Sequence, residues 1–273
     1  MRRPARHDGF DRRLIAPMIL GSVLNPINSS IIAVALVPIG IAFGAPASQT
    51  TLLVSALYFA TAIGQPLAGR LIDLFGPRGL YLAGAAFTTI AGAIGAFAPT
   101  LSLLIVARVV LGLGTCAGYP ASMSLLRRET ERTADFGGFR PTGMLTALSV
   151  ANQTVAVVGP TLGGVLVDVG GWRSTFAINI PLGIACFVCG LLLLPREEKH
   201  RTTDAGERPA GSLRRLDLPG ILLFAGLLVS LMLFLMNSEV ASLWLLAVAA
   251  VAGAGFAFRE RRAADPFTGR SDC

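Results

Sequence analysis

The sequence predicts an all-α, polytopic membrane protein of about eight transmembrane helices. Three observations lead there. Of 273 residues, 53% are apolar and only 14% charged, against roughly 25% charged in an ordinary soluble domain. The mean hydropathy is +0.66. Apolar stretches of about twenty residues without a charge follow one another along the chain, each long enough to cross a hydrocarbon core of about 30 Å at about 1.5 Å of rise per residue. The 31 Gly show no triplet period, and 4 Cys are too few for a disulfide-stapled fold. The apolar content also excludes a disordered chain.

The predicted spans are Leu14–Ile41, Thr51–Arg70, Gly79–Phe97, Leu101–Leu126, Pro141–Asp168, Ser174–Leu194, Pro219–Met236 and Ala241–Phe258. The first is too long for one straight helix and is expected to break or bend at Pro26. It is not a signal peptide: the apolar run is too long, and Asn25, Pro26, Asn28, Ser29 and Ser30 interrupt its middle. Most connections are short, as antiparallel neighbours require. The sixth, residues 195–217, is polar and charged and reads as a linker. The expected organisation is therefore a tail over 1–13, a six-helix bundle over 14–194, the linker, two further helices over 218–258, and a tail over 259–273.

The formal charge of +7 raises the question of nucleic acid, which the placement of the basic residues answers. They alternate to one side of the predicted bilayer: Arg2 to Arg13 in the tail, Arg70 and Arg78, Arg127 to Arg140, Arg196 to Arg215, and Arg259 to Arg270. These account for 21 of the 23 Lys and Arg. Arg173 lies on the other side and Arg108 inside a span. Membrane topology explains this pattern and nucleic acid binding does not. Both termini are expected in the cytoplasm, with the chain multi-pass in the inner (plasma) membrane and the lipid bilayer as its surroundings.

Four segments carry chemistry. Gly69-Arg70-Leu71-Ile72-Asp73-Leu74-Phe75-Gly76-Pro77-Arg78-Gly79 forms the second connection; its glycines permit a tight turn, and Asp73 is able to cap helix N–H groups or pair with Arg78. Arg108-Val109-Val110-Leu111-Gly112-Leu113-Gly114 puts a guanidinium at membrane depth, where it costs about 2.5–3.5 kcal/mol on the insertion scale and needs a polar cavity or partner. Gly159-Pro160-Thr161-Leu162-Gly163-Gly164 combines a helix-bending proline with glycines that admit a neighbour's backbone. Asn28-Ser29-Ser30 places polar groups in the middle of the first span.

Taken together, these segments resemble the major facilitator superfamily. The Gly69, Asp73, Gly76 and Arg78 pattern is similar to its signature loop between the second and third helices, the Arg108 segment to its fourth-helix motif, and Gly159, Pro160, Gly163 and Gly164 to its antiporter motif. The runs Gly171-Trp172-Arg173 and Asn179-Ile180-Pro181 resemble the fourteen-helix drug:proton antiporter branch. Leu111 stands where that family often has glutamine, Val155 where the antiporter motif often begins with glycine, and Asn28 where the branch usually has a carboxylate. Asparagine hydrogen bonds but does not titrate. None of the 16 acidic residues lies in the middle of a predicted span; Asp168 is the acidic candidate near a span end.

The resemblance implies the N-terminal half of an exporter of amphipathic drugs or small molecules, driven by a proton gradient and without a bound cofactor. It covers residues 14 to 267, and Thr268 to Cys273 depart from it, so the chain is read as truncated. Transport then calls for a second half-transporter or a homodimer. The expected substrate cavity takes Asn28, Ser30, Tyr58, Gln65, Arg108, Asn152 and Gln153. The alternative is a non-transporting remnant, or a membrane partner of a full-length transporter. His7 and His200 lie in charged tails without metal-ligand spacing. Cys186 and Cys189 lie in an apolar helix rather than a redox context. Neither a Walker lysine nor a Ser–His–acid set is present, so no enzymatic reading arises.

Overall fold

The computed structural model describes residues 12–133, 142–195, 223–224, 226–231, 234 and 243–262. The chain falls into two compact units, Met1–Glu207 and Arg208–Cys273. In the second, the helix Leu243–Arg262 lies in the region of the predicted eighth span. Half of the predicted seventh span, residues 196–217 of the linker and residues 263–273 of the C-terminal tail lie outside the described residues.

The first unit holds six helices long and apolar enough to cross a membrane: Ile15–Phe43, Ala47–Ile72, Phe75–Ala96, Leu101–Glu131, Gly143–Gly170 and Ser174–Leu193. They are called the first to sixth spans below. Among the described residues no strand occurs, as expected where every backbone group must be satisfied without water. The first span is one helix of 29 residues with Pro26 and Pro38 inside it. Of the two expected outcomes at Pro26, a break or a bend, the break is absent. A break there would free further N–H and C=O groups in the bilayer, whereas an intact helix loses only the donor that proline lacks.

Local sequence sets the ends. The fourth span starts at Thr100, whose hydroxyl accepts the Leu103 N–H at 3.3 Å. The fifth ends where Gly171, at φ 68°, turns left-handed and donates to the Val167 carbonyl at 2.9 Å. The turn from the second span into the third is made at Gly76, within the first turn of the third span, with φ 76° and ψ 158°. That combination is open essentially to glycine alone. Gly76→Ala is expected to cost about 1–3 kcal/mol, seen as a lower unfolding midpoint in detergent, whereas Gly69→Ala, whose Cβ meets nothing within 4 Å, is expected to stay near wild type. Equal midpoints for the two variants would sink this account of the turn.

Small residues bring the helices together. The fourth span is the most enclosed, 56% buried over its apolar window against 11% for the fifth. It is interrupted at Cys116–Ala117, between helices Leu101–Thr115 and Gly118–Thr133. Past that interruption Gly118 lies directly against the Gly21 carbonyl of the first span. The Ser122 hydroxyl reaches the Met18 carbonyl at 3.1 Å, and Tyr81 of the third span donates to the Pro17 carbonyl at 2.8 Å. The first span also packs along the fifth.

Two large apolar clusters and a small one of Leu57, Ala91 and Leu111 fill the bundle. One large cluster gathers Met18, Leu24, Tyr81, Ala121, Leu125, Leu148 and Cys186; the other gathers Ile32, Ile39, Leu53, Leu104, Trp172 and Phe176. Because the spans alternate in direction, these two large clusters occupy opposite ends. The polar side chains Asn25, Asn28, Thr61, Arg108 and Thr115 fall between them.

Candidate functional site

Arg108 lies two turns into the fourth span and is 0% exposed. Its Nη1 donates to the Asn28 carbonyl of the first span at 3.3 Å. Its Cζ sits 4.6 Å from the centre of the Phe176 ring, at the start of the sixth span, a geometry in which the ring's negative face attracts the cation. Nε and Nη2 are buried and have no hydrogen-bond partner among the described residues. Buried polar atoms without a partner are rare in folded proteins, so these two call for a physical explanation.

Phe176 begins an aromatic column. Trp172 meets it edge-on at 6.3 Å, Phe43 leans on Trp172 at 5.4 Å, and the exposed Arg173 lies 4.3 Å above the Trp172 ring. On the other side of Arg108, Asn25 donates to the hydroxyls of Thr61 at 3.1 Å and Thr115 at 3.3 Å. That amide ties the first, second and fourth spans together.

The sequence-predicted cavity residues separate into two groups. Asn28 is buried beside Arg108, with its side-chain amide spent on the Leu24 carbonyl of its own helix at 2.8 Å. Ser30 faces the fifth span, its hydroxyl 2.8 Å from the Pro26 carbonyl and 3.5 Å from that of Ala156. Asn152 is half-buried; its Nδ2 donates to the Leu148 carbonyl at 2.9 Å, and its Oδ1 has no partner among the described residues. Tyr58, Gln65 and Gln153 are exposed on the surface of this bundle, where the wall of a cavity shared with a second bundle would also lie. Asp168, in the last turns of the fifth span, is exposed as well.

At the other end of the bundle, Arg78 donates to the Leu191 carbonyl at 3.0 Å. It thereby satisfies one of the carbonyls that a helix C-terminus leaves open, here the end of the sixth span. The side chain of Asp73, with its expected pairing, lies outside the described residues. A cavity of about 170 Å³ sits beside Arg78, lined by Leu14, Pro77, Leu125, Arg128, Glu129 and Pro195. In the fifth span Gly159 lies against Ser30, and a Cβ on Gly163 would come within 2.9 Å of the Ile31 carbonyl. Gly164 faces open space and Pro160 is exposed. Among the described residues, no group of three or more His, Cys, Asp or Glu is placed to hold a metal ion.

Residues 18–222 match the sequence profile of the Major Facilitator Superfamily, three quarters of the chain. The chain belongs to the major facilitator superfamily. It is a multi-pass integral membrane protein of a transporter family, not an enzyme. It is 37% identical over 218 residues to the uncharacterized MFS-type transporter YwoD of Bacillus subtilis (strain 168), covering 80% of this chain and 45% of that protein. It is 30% identical over 257 residues to the tetracenomycin C resistance and export protein of Streptomyces glaucescens, covering 90% and 44%. With the multidrug resistance protein Stp of Mycobacterium tuberculosis the identity is 32% over 253 residues, again covering 90% and 44%. The chain thus spans about half the length of the curated relatives it matches. Its fold is shared with the proton:xylose symporter XylE, at a TM-score of 0.51 and 18% identity over 89% of this chain and 53% of that one.

Within this superfamily member, the loop and antiporter motifs read from the sequence do visible structural work: Arg78 closes the sixth span, and Gly159 and Gly163 seat the first span on the fifth. What sequence reasoning missed is the surroundings of Arg108. Phe176, Thr61 and Thr115 are not among the sequence-predicted site residues. The one available signal was the position of Asn25 in the polar middle of the first span.

Proposed function

We propose that this chain is the N-terminal half-bundle of an exporter for amphipathic small molecules, coupled to a proton gradient and working with a second six-helix bundle. The observation that carries the reading is Arg108: a fully buried cation, held between the first and sixth spans and only partly satisfied. A charge at this depth is costly to keep for structure alone and marks an intramembrane site by default. Relatives named for multidrug resistance and for tetracenomycin C export support the substrate class. The seating of Gly159 and Gly163 against the first span supports the antiport reading, because a close backbone contact there leaves no room for a leak. The alternation of basic residues supports a cytoplasmic position for both termini. No carboxylate lies in the middle of a span of this chain, so the proton is expected to be carried by the partner bundle.

The test is energised efflux of a fluorescent amphipathic dye from vesicles, with this chain alone and with a second half-bundle supplied. Gradient-dependent transport in either case that falls to background with Arg108→Ala supports the reading. Inserted protein that moves no dye in both cases favours the non-transporting alternative.

A further inference from the structure

This inference rests on the transporter reading and names the chemistry of its substrate. A guanidinium presents five N–H donors in a rigid plane. In Arg108, Nη1 is engaged by the Asn28 carbonyl at 3.3 Å and one face is covered by Phe176 at 4.6 Å. The two nitrogens left without a partner, Nε and Nη2, are the pair whose N–H bonds run parallel along one edge. That edge meets both oxygens of a carboxylate at once. What remains unsatisfied is a complete two-pronged fork.

Among the described residues no side chain or carbonyl fills it. Its acidic residues lie in tails, in connections or near span ends. A backbone carbonyl brings one acceptor and no formal charge, which leaves a buried cation without a counter-ion. Mid-membrane, the field of this half is that of one positive charge, which repels organic cations and favours organic acids. Phe176 covers one face of the guanidinium, and Trp172 and Phe43 continue the apolar aromatic column beyond it, with the exposed Arg173 over Trp172.

We propose that the free edge of Arg108 receives the carboxylate of an acidic amphipathic substrate, so that this transporter half selects organic acids with an apolar body rather than organic cations. The fork is enclosed in this conformation. The acid enters when alternating access opens the bundle on the side of Nε and Nη2, with the Asn28 and Phe176 contacts kept.

The test uses the full chain in lipid nanodiscs, with empty nanodiscs subtracted, and two probes: 11-(dansylamino)undecanoic acid and its methyl ester. They share chain and fluorophore and differ in the carboxylate. The acid is expected to bind about tenfold more tightly than the ester. In Arg108→Gln the ratio is expected to fall to about one, and Arg108→Lys, which keeps the charge and loses the fork, is expected to lie between. The wild-type ratio decides without any variant: equal binding of both probes overturns the carboxylate assignment and leaves the transporter reading standing. A full preference for the acid in Arg108→Gln overturns it too. Binding of neither probe overturns the carboxylate assignment, and the transporter reading is then decided by the efflux assay with the second half-bundle supplied.

Discussion

Leucine in place of Gly118 is expected to keep the six-helix bundle from assembling. Gly118 opens the second half of the fourth span, and a Cβ there would run into the Gly21 carbonyl of the first span. The obstacle is backbone, not the far end of a flexible side chain, so no rotamer change relieves it. Two whole helices must move apart, and the Ser122 to Met18 and Tyr81 to Pro17 hydrogen bonds move with them. Overpacking of an ordinary core costs about 1–3 kcal/mol. Here the loss of two interhelical bonds adds about 1 kcal/mol each, which puts the expected cost at about 3–5 kcal/mol. Gly164→Leu is the comparison, since a Cβ at Gly164 meets nothing within 4 Å. Unfolding in a denaturing-detergent titration reads both. A Gly118→Leu midpoint equal to that of Gly164→Leu contradicts the close crossing of the first and fourth spans.

Arg108→Met has the opposite sign on stability and a larger effect on function. Removing the guanidinium relieves an insertion cost of about 2.5–3.5 kcal/mol. It forfeits the hydrogen bond to the Asn28 carbonyl and the contact with Phe176, together worth about 1–2 kcal/mol. Methionine fills much of the same volume with flexible apolar atoms. The balance is a gain of about 1 kcal/mol, seen as a higher unfolding midpoint, while efflux in the two-half vesicle assay falls to background. Greater stability with lost transport is the signature of a charge kept for function at the expense of the fold. A lower midpoint would mean that the guanidinium is a structural strut with a satisfied environment, and the functional assignment of Arg108 would fail with it.

Much of this was legible in the residues. The spans were legible because a bilayer imposes one length on every apolar helix, and they fall within a few residues of the predicted positions for all six helices of the bundle. The turn at Gly76 was legible because its backbone conformation excludes other residues. The seating of Gly159 and Gly163 was announced by small residues beside a proline. The continuity of the first span through Pro26 was not legible, because the loss of one donor at a proline is a local term, whereas the cost of freeing more backbone in lipid is a property of the surroundings. Nor did the polar residues of the spans declare which way they face. Tyr58, Gln65 and Gln153 look equivalent to Asn28 in the sequence, yet the first three are on the surface and the last is buried.

By itself, then, the sequence determined that this is a multi-pass membrane protein, where its helices run, and that one of them carries a lone arginine at depth. Hydropathy and length act along the chain and need no partner to be read. Only the tertiary structure decided what meets Arg108: the Asn28 carbonyl, 80 residues away, on one nitrogen, the Phe176 ring on one face, and nothing from the described residues on Nε and Nη2. The physical reason is that a helix fixes the height of each side chain but not its neighbours. Those are set by which helices cross and how closely, through contacts such as Gly118 on Gly21 that join residues far apart in the chain.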